Sequence, residues 1–377
     1  MSNTYCIKPF IHIATERNGD YLPCCLSKIP TGYNIEHHSI EEVWNSEYYN
    51  KLRHDLLNGV KNPNCERCWT VEDKGYVSRR QQNNQVLDVP LPVPIELDIK
   101  TGNDCNLKCI TCNHLASSQH AKEVEQWKKD NVKLPLWLSE IDRDELDINN
   151  VDNVGQHLDS ALPGCSIINL QGGEPFASPM TIKLLEYCKD KGYTNLPISA
   201  TSNLSSTGIL KRLADFPKTT VGVSYDHIDP AKFNFIRFPA DLETLERNIV
   251  TLSAETDIKW GICFTLSIFN IFDLVDIFKR FEEFKQMRNY SFTQINYVIA
   301  PDYFSPEYLE LEQKQQLVDI VNQNTLPEEF NDIHKIVNVV PDDFDEVVKE
   351  RTRVLDLYDK TRGTDYRKLF PYIKRYE

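Results

Sequence analysis

Apolar and polar positions change their spacing along this chain, and the changes mark its parts. Ile7 to Ala14 alternates well enough to predict a strand, and Tyr21 to Leu26 predicts its return. Between them Glu16-Arg17-Asn18-Gly19-Asp20 predicts a hairpin turn, because Asn-Gly readily takes positive φ. Ser39 with Glu42 three residues on reads as a capping box. It opens a helical stretch through Trp44, Leu52, Leu56 and Leu57, which Asn58-Gly59 ends. Val86 to Pro94 carries three prolines in alternation and reads as a stiff, extended connector.

From Ile95 short apolar runs alternate with helical stretches. The predicted strands are Ile95–Ile99, Ser166–Leu170, Leu196–Ala200, Thr220–Ser224, Lys259–Ser267 and Phe292–Ile299. Helical stretches include His114–Lys129, Thr181–Lys191, Leu242–Ala254 and Phe272–Lys285. Six such repeats predict an α/β fold with a parallel sheet and right-handed crossovers, open or curled into a partial barrel. Ligands of such folds bind at the carboxyl ends of the strands. Asn131 to Gly155 breaks the rhythm and reads as an insertion. After Pro301 the pattern is helical and charged. The expected division is a Cys-rich hairpin-plus-helix domain over 1–85, a linker over 86–94, a β/α domain over 95–300 and a helical extension over 301–377.

The chain has 377 residues and a net charge of −14, which argues against a broad electrostatic grip on nucleic acid or anionic lipid. No run of 18 apolar residues appears, so no membrane span is expected, and the start lacks the pattern of a signal peptide. Eleven cysteines without a secretory signal point to metal or catalysis rather than disulfides. Cys165, Cys188 and Cys263 stand alone among apolar neighbours and read as buried thiols. The histidines show no metal-binding spacing.

Cys105, Cys109 and Cys112 follow the first β/α strand at the spacing C-x3-C-x2-C. Three thiolates so close can hold three corners of a [4Fe–4S] cube and leave the fourth iron open. The other reading is a zinc site, with His114 as a fourth ligand. At the ends of later strands come Gln171-Gly172-Gly173-Glu174-Pro175, Thr201-Ser202-Asn203, Ser224-Tyr225-Asp226 and Asn270. A second set, Cys6, Cys24, Cys65 and Cys68, offers four thiolates that can close a cluster or, alternatively, a zinc knot. Cys25 beside Cys24 competes as the second ligand, and Cys24 is the residue expected to serve.

The three-cysteine loop followed by Gly-Gly-Glu-Pro resembles the radical S-adenosylmethionine (SAM) superfamily. That resemblance implies a partial (β/α)6, TIM-like barrel and an enzyme that cleaves SAM reductively at the open iron. A 5′-deoxyadenosyl radical then abstracts hydrogen from a substrate. By the same resemblance Gly172, Gly173, Glu174 and Pro175 meet the methionine end, and Asn203, Ser224 and Asp226 lie where the family contacts SAM. Arg237 lies where some members of the family have an arginine facing the SAM carboxylate. Two departures stand out: Thr111 replaces an aromatic residue before the third cysteine, and Thr-Ser-Asn replaces Thr-Asn-Gly. The N-terminal cysteines, with Ile40 to Asn45 and Tyr49 to Arg53 between them, resemble the twitch domain, a shortened SPASM domain carrying an auxiliary [4Fe–4S] cluster. In the family it usually follows the barrel; here it precedes it. The resemblance further implies a peptide or protein substrate, a reductant such as flavodoxin or ferredoxin, and a reducing cytoplasm. The rival readings are SAM consumed as a group donor, and a non-catalytic iron–sulfur or zinc protein serving electron transfer or interaction.

Overall fold

The computed structural model describes residues 2–27, 29–73, 77–83, 91–139, 151–298, 300–324, 326–327 and 338–376. Most of the proline-rich connector and the middle of the predicted insertion lie outside them. The chain divides into two units: Met1–Asp104 with Asp144–Thr201 and Ile209–Thr220, and Cys105–Arg143 with Ser202–Gly208 and Val221–Glu377.

In the first unit Lys8–Ile11 is a helical turn, α1, and strand β1 spans only His12–Thr15. The predicted strand from Ile7 is thus half helix. Pro9 sits in the first helical turn, where its fixed φ and missing N–H are tolerated. The hairpin turn forms as expected, with Glu16 N–H donating to Asp20 O at 2.7 Å and Gly19 at φ 87°. Strand β2 is Tyr21–Leu22 and stops before Pro23. Ser39 and Glu42 make the reciprocal capping box of α2, Ile40–Trp44. The single predicted helix is two, because Ser46 caps a new one, α3, Glu47–Leu57. Gly59 at φ 80° then turns the chain away, and Glu66–Asp73 forms α4.

Strands β3 (Glu96–Lys100), β4 (Ile167–Gln171) and β5 (Ile198–Ser202) complete the order β2-β1-β3-β4-β5 in this unit. β1 pairs antiparallel with β2 but parallel with β3, in the register Ala14↔Asp98. β3, β4 and β5 are parallel. Leu97, Ile99, Ile168, Leu170, Ile198 and Ala200 from these strands are buried, and full burial of a large apolar side chain contributes about 1.5–3 kcal/mol.

In the second unit the strands are β6 (Thr219–Ser224), β7 (Lys259–Leu266) and β8 (Tyr290–Tyr297), adjacent in that order. β7 and β8 are parallel. The helices used below are α5 (Ser118–Lys129), α6 (Pro230–Ile236), α7 (Leu242–Glu255), α8 (Leu274–Lys285) and α9 (Phe344–Arg362). Phe278, Phe281 and Phe284 of α8 pack with Phe264, Tyr225 and Trp260, all buried. Tyr225 and Trp260 are therefore core. The fold is α/β with mostly parallel strands, and each predicted strand from Ile95 onward starts and ends within two residues of an observed one. Among the described residues no helix is long and apolar enough to cross a membrane.

Candidate iron–sulfur centres

The N-terminal thiols gather in the first unit. Cys6 packs with Leu52, Leu56 and Trp69, against which Cys65 and Tyr48 also lie. The thiols perturb one another: Cys24 responds to Cys6 and Cys65, and Cys65 to Cys6 and Cys68. Burial pushes Cys6 up to about 11 and Cys65 to about 12. Cys24 moves the other way, chiefly because the Cys25 thiol donates a hydrogen bond to it, and the Leu26 amide adds another at 3.2 Å. Cys25 is pushed up by the same bond and is exposed. The bond between them thus favours the thiolate form at Cys24 and disfavours it at Cys25. Among the described residues no three Cys, His, Asp or Glu side chains are placed to hold one ion.

Next to this set lies a buried polar row that the sequence reading missed. His12 Nε2 lies 2.9 Å from Asp98 Oδ2, and Asn169 Nδ2 donates to Asp98 Oδ1 at 2.6 Å. Burial pushes the Asp98 carboxyl up, but the hydrogen bond and charge of His12 outweigh it and hold it at about 2.

The Cys105–Cys112 loop belongs to the second unit. Its backbone is tied to the segment after α6: Lys108 N–H donates to Phe238 O at 2.7 Å and Ile110 N–H to Ile236 O at 2.8 Å. Leu107 and Ile110 are buried as its apolar feet. Ser118 Oγ bonds both the N–H and the C=O of Cys105, at 3.3 and 3.2 Å. All three thiols are half-buried. Burial pushes Cys109 up to about 12; Arg237 opposes this, while Cys112, Cys105 and Asp226 reinforce it. Iron must displace that proton to bind.

Arg237, whose charge acts on Cys109, is held by Asp226, with Nε 2.7 Å from Oδ2. Both side chains are nearly buried. Burial works against the guanidinium charge, but Asp226 outweighs it and raises its pKa. Asp226 Oδ1 accepts from Thr265 N–H at 2.8 Å, and Asn270 Nδ2 bonds the Asp226 and Thr265 carbonyls at 3.1 and 2.9 Å. Asn270 is fully buried and braces the pair. Ser224 is buried two residues earlier. Asn203 donates to Asn106 Oδ1 at 3.0 Å, inside the C-x3-C segment. Asn106, Asn203 and Arg237 line a cavity of about 190 Å³ with Phe233, Asp241 and Thr244.

In the first unit Gly172 and Gly173 close against Thr101–Asp104. A Cβ on Gly172, at φ 142°, would lie 2.7 Å from Gly102 O, and one on Gly173 would lie 2.5 Å from Asp104 O. Glu174 N–H donates to Asp104 O at 2.7 Å, and Glu174 Oε1 accepts from Phe176 N–H at 3.0 Å. Glu174 and Pro175 are buried.

The structure thus joins Cys105, Cys109, Cys112, Asp226 and Arg237 electrostatically, and places Asn203 on Asn106. Asn106, Thr265 and the bracing role of Asn270 had no local signature in the chain.

Such a donor set suits an iron–sulfur cluster. Residues 6–69 match the SPASM family, an iron-sulfur cluster-binding domain. No curated protein sequence matches the chain. Among solved structures it is similar to native anSMEcpe with bound AdoMet, at 24% identity and TM-score 0.40, covering 63% of this chain and 65% of that one. It is similar to native anSMEcpe with bound AdoMet and the Kp18Cys peptide at 21% identity and TM-score 0.37, covering 72% and 67%. It is also similar to Streptococcus suis SuiB bound to precursor peptide SuiA, at 14% identity and TM-score 0.35, covering 88% and 70%.

Proposed function

We propose that this chain is a radical SAM enzyme with an auxiliary cluster, acting on a peptide or protein. The reading takes β3 to β8 as the six strands of a partial (β/α)6 barrel. One observation carries it: a three-thiol loop, two of whose thiols, Cys105 and Cys109, feel the charge of the ion-paired Arg237, in a chain whose residues 6–69 match an iron–sulfur domain. Cys105, Cys109 and Cys112 would hold a [4Fe–4S] cluster, which would supply the electron for reductive cleavage of SAM and so the radical chemistry on a substrate.

The chain's own residues would bind and orient. Asp226 takes up Nε of Arg237, and the remaining fork of donors suits the SAM carboxylate. Gly172 and Gly173 keep side chains out of a close backbone approach. Glu174 and Pro175 complete the turn toward the amino group. Asn203 and Ser224 offer polar contacts to the rest of the cofactor. Cys6, Cys24, Cys65 and Cys68 would hold a second cluster, which would supply an electron acceptor or relay, or an anchor for the substrate. The peptide class is inferred because radical SAM enzymes with such domains commonly act on peptides.

The test is anaerobic loading with iron and sulfide, expected to give about eight irons per chain. Dithionite and SAM should then release 5′-deoxyadenosine. Replacing Cys105, Cys109 and Cys112 by Ala should abolish that release. Zinc without iron, or reduced clusters that never cleave SAM, would sink the reading in favour of a non-catalytic metal protein.

A further inference from the structure

We propose that Glu123 is a positioning residue for the Cys105–Cys112 loop, and that Arg362 of the C-terminal extension holds it in place. The inference rests on the reading of that loop as a cluster site. Helix α5 starts directly behind the loop, capped by Ser117, whose Oγ also donates to Leu107 O. One turn on, Glu123 turns its carboxylate inward, 4% exposed. Lys108 Nζ, from within the C-x3-C segment, reaches Glu123 Oε1 at 2.8 Å. Arg362, at the end of α9, grips the same carboxylate with Nη2 at 2.6 Å and Nε at 3.1 Å.

The arrangement is tight around these three charges. The Arg362 side chain is 2% exposed and lies over Tyr358 at 4.0 Å and Phe238 at 5.4 Å. Lys108 lies over the same Phe238 ring at 5.3 Å and donates its N–H to the Phe238 carbonyl. Helix α9 also runs beside α5, with Tyr358 5.7 Å from Trp127, and Arg353 bonds the Lys133 and Leu134 carbonyls. A buried carboxylate is costly unless its cations are held in good geometry. An apolar contact would pack the helices as well, but would not fix where Lys108 stands. Lys108 lies one residue before Cys109, so the charge triad sets the reach of the middle thiol. The two cations outweigh burial and keep Glu123 below its ordinary value.

The full chain is tested as Lys108→Met, which leaves the Glu123–Arg362 pair intact, and as Arg362→Lys, which keeps the charge but not the two-point grip. In the reduced, metal-free chain, iodoacetamide labelling of Cys109 should quicken about five- to tenfold in Lys108→Met, while buried Cys188 and Cys263 stay slow. In the iron-loaded chain, the change that SAM induces in the electron paramagnetic resonance signal of the reduced cluster should weaken in both variants. Unchanged labelling and an unchanged spectrum would overturn the proposal. So would a rise at Cys188 and Cys263 equal to that at Cys109, which marks general loosening. If the wild-type loop takes up no iron, the enzyme reading fails by itself, and the labelling arm still decides whether the triad positions the loop.

Discussion

Gly173 offers the sharpest link between local geometry and turnover. Replacing it by Ala would set a Cβ 2.5 Å from Asp104 O and 2.6 Å from Asn103 O, both backbone atoms that cannot swing aside. Restoring an ordinary 3.4 Å contact requires one strand end to retreat by about 0.9 Å. The turn resists this, because Gly173 N–H donates to Gly102 O at 3.0 Å and Glu174 N–H to Asp104 O at 2.7 Å. Asp104 is bonded directly to the residue that begins the thiol loop, so Cys105 takes up the displacement. Overpacking of this size costs about 1–3 kcal/mol of stability, while misplacing a reacting group by about 1 Å costs on the order of 10²-fold in rate. With iron, dithionite and SAM, 5′-deoxyadenosine release by Gly173→Ala should therefore fall roughly 100-fold. Iron on the N-terminal cysteines should be retained. Gly164→Ala is the control, since nothing lies within 4 Å of its Cβ. A folded Gly173→Ala chain with a rate within about twofold of wild type, or an equal loss in Gly164→Ala, would refute the argument.

Three further outcomes are expected. Cys24→Ala should lower iron from about eight to about four per chain, whereas Cys25→Ala should leave it unchanged; iron analysis of the two side by side decides which sulfur is the ligand. Asp226→Asn strips the charge from a nearly buried partner of Arg237 and should cost about 3–5 kcal/mol in denaturant unfolding, with a change under about 1 kcal/mol counting against the pair. The Asp98 carboxyl lies at about 2 in the folded chain against an ordinary 3.8. Its contribution of about 2 kcal/mol is full above that ordinary value and is lost as pH falls through the folded one. A melting profile over that window should be flatter for Asp98→Asn than for wild type.

Much of the β/α framework was legible because its signals are local. Strands β3 to β8 announce themselves as short apolar runs, and the Ser39–Glu42 box declares a helix start within four residues. Lys8–Ile11 was misread because Ile7, Phe10 and Ile13 fit a strand as well as a helical turn, and only the Pro9 position separates them. The break between α2 and α3 hid in Asn45-Ser46, a polar pair that is also common inside helices. The thiols of both sets were visible by spacing, and the family match covers the N-terminal set. The choice of Cys24 over Cys25 gains a physical reason from the hydrogen bond between them. Partners far apart in the chain had no such trace. His12 meets Asp98 across 86 residues and Glu123 meets Arg362 across 239, and no periodicity encodes a pairing of that kind. The C-terminal stretch could be read only as helical and charged.

The parallel pairing of β1 with β3 bears on how this molecule can be taken apart. Ile95 N–H donates to Ile11 O at 2.8 Å and Trp44 Nε1 to Leu91 O at 2.7 Å, so the first segment is woven into the sheet. A truncated chain begun after the proline-rich stretch would strip the neighbour from β3 and bare a row of backbone donors and acceptors, a template for sticking to other chains. The N-terminal segment is therefore a poor candidate for modular transplantation, and its loss would be felt first as insolubility.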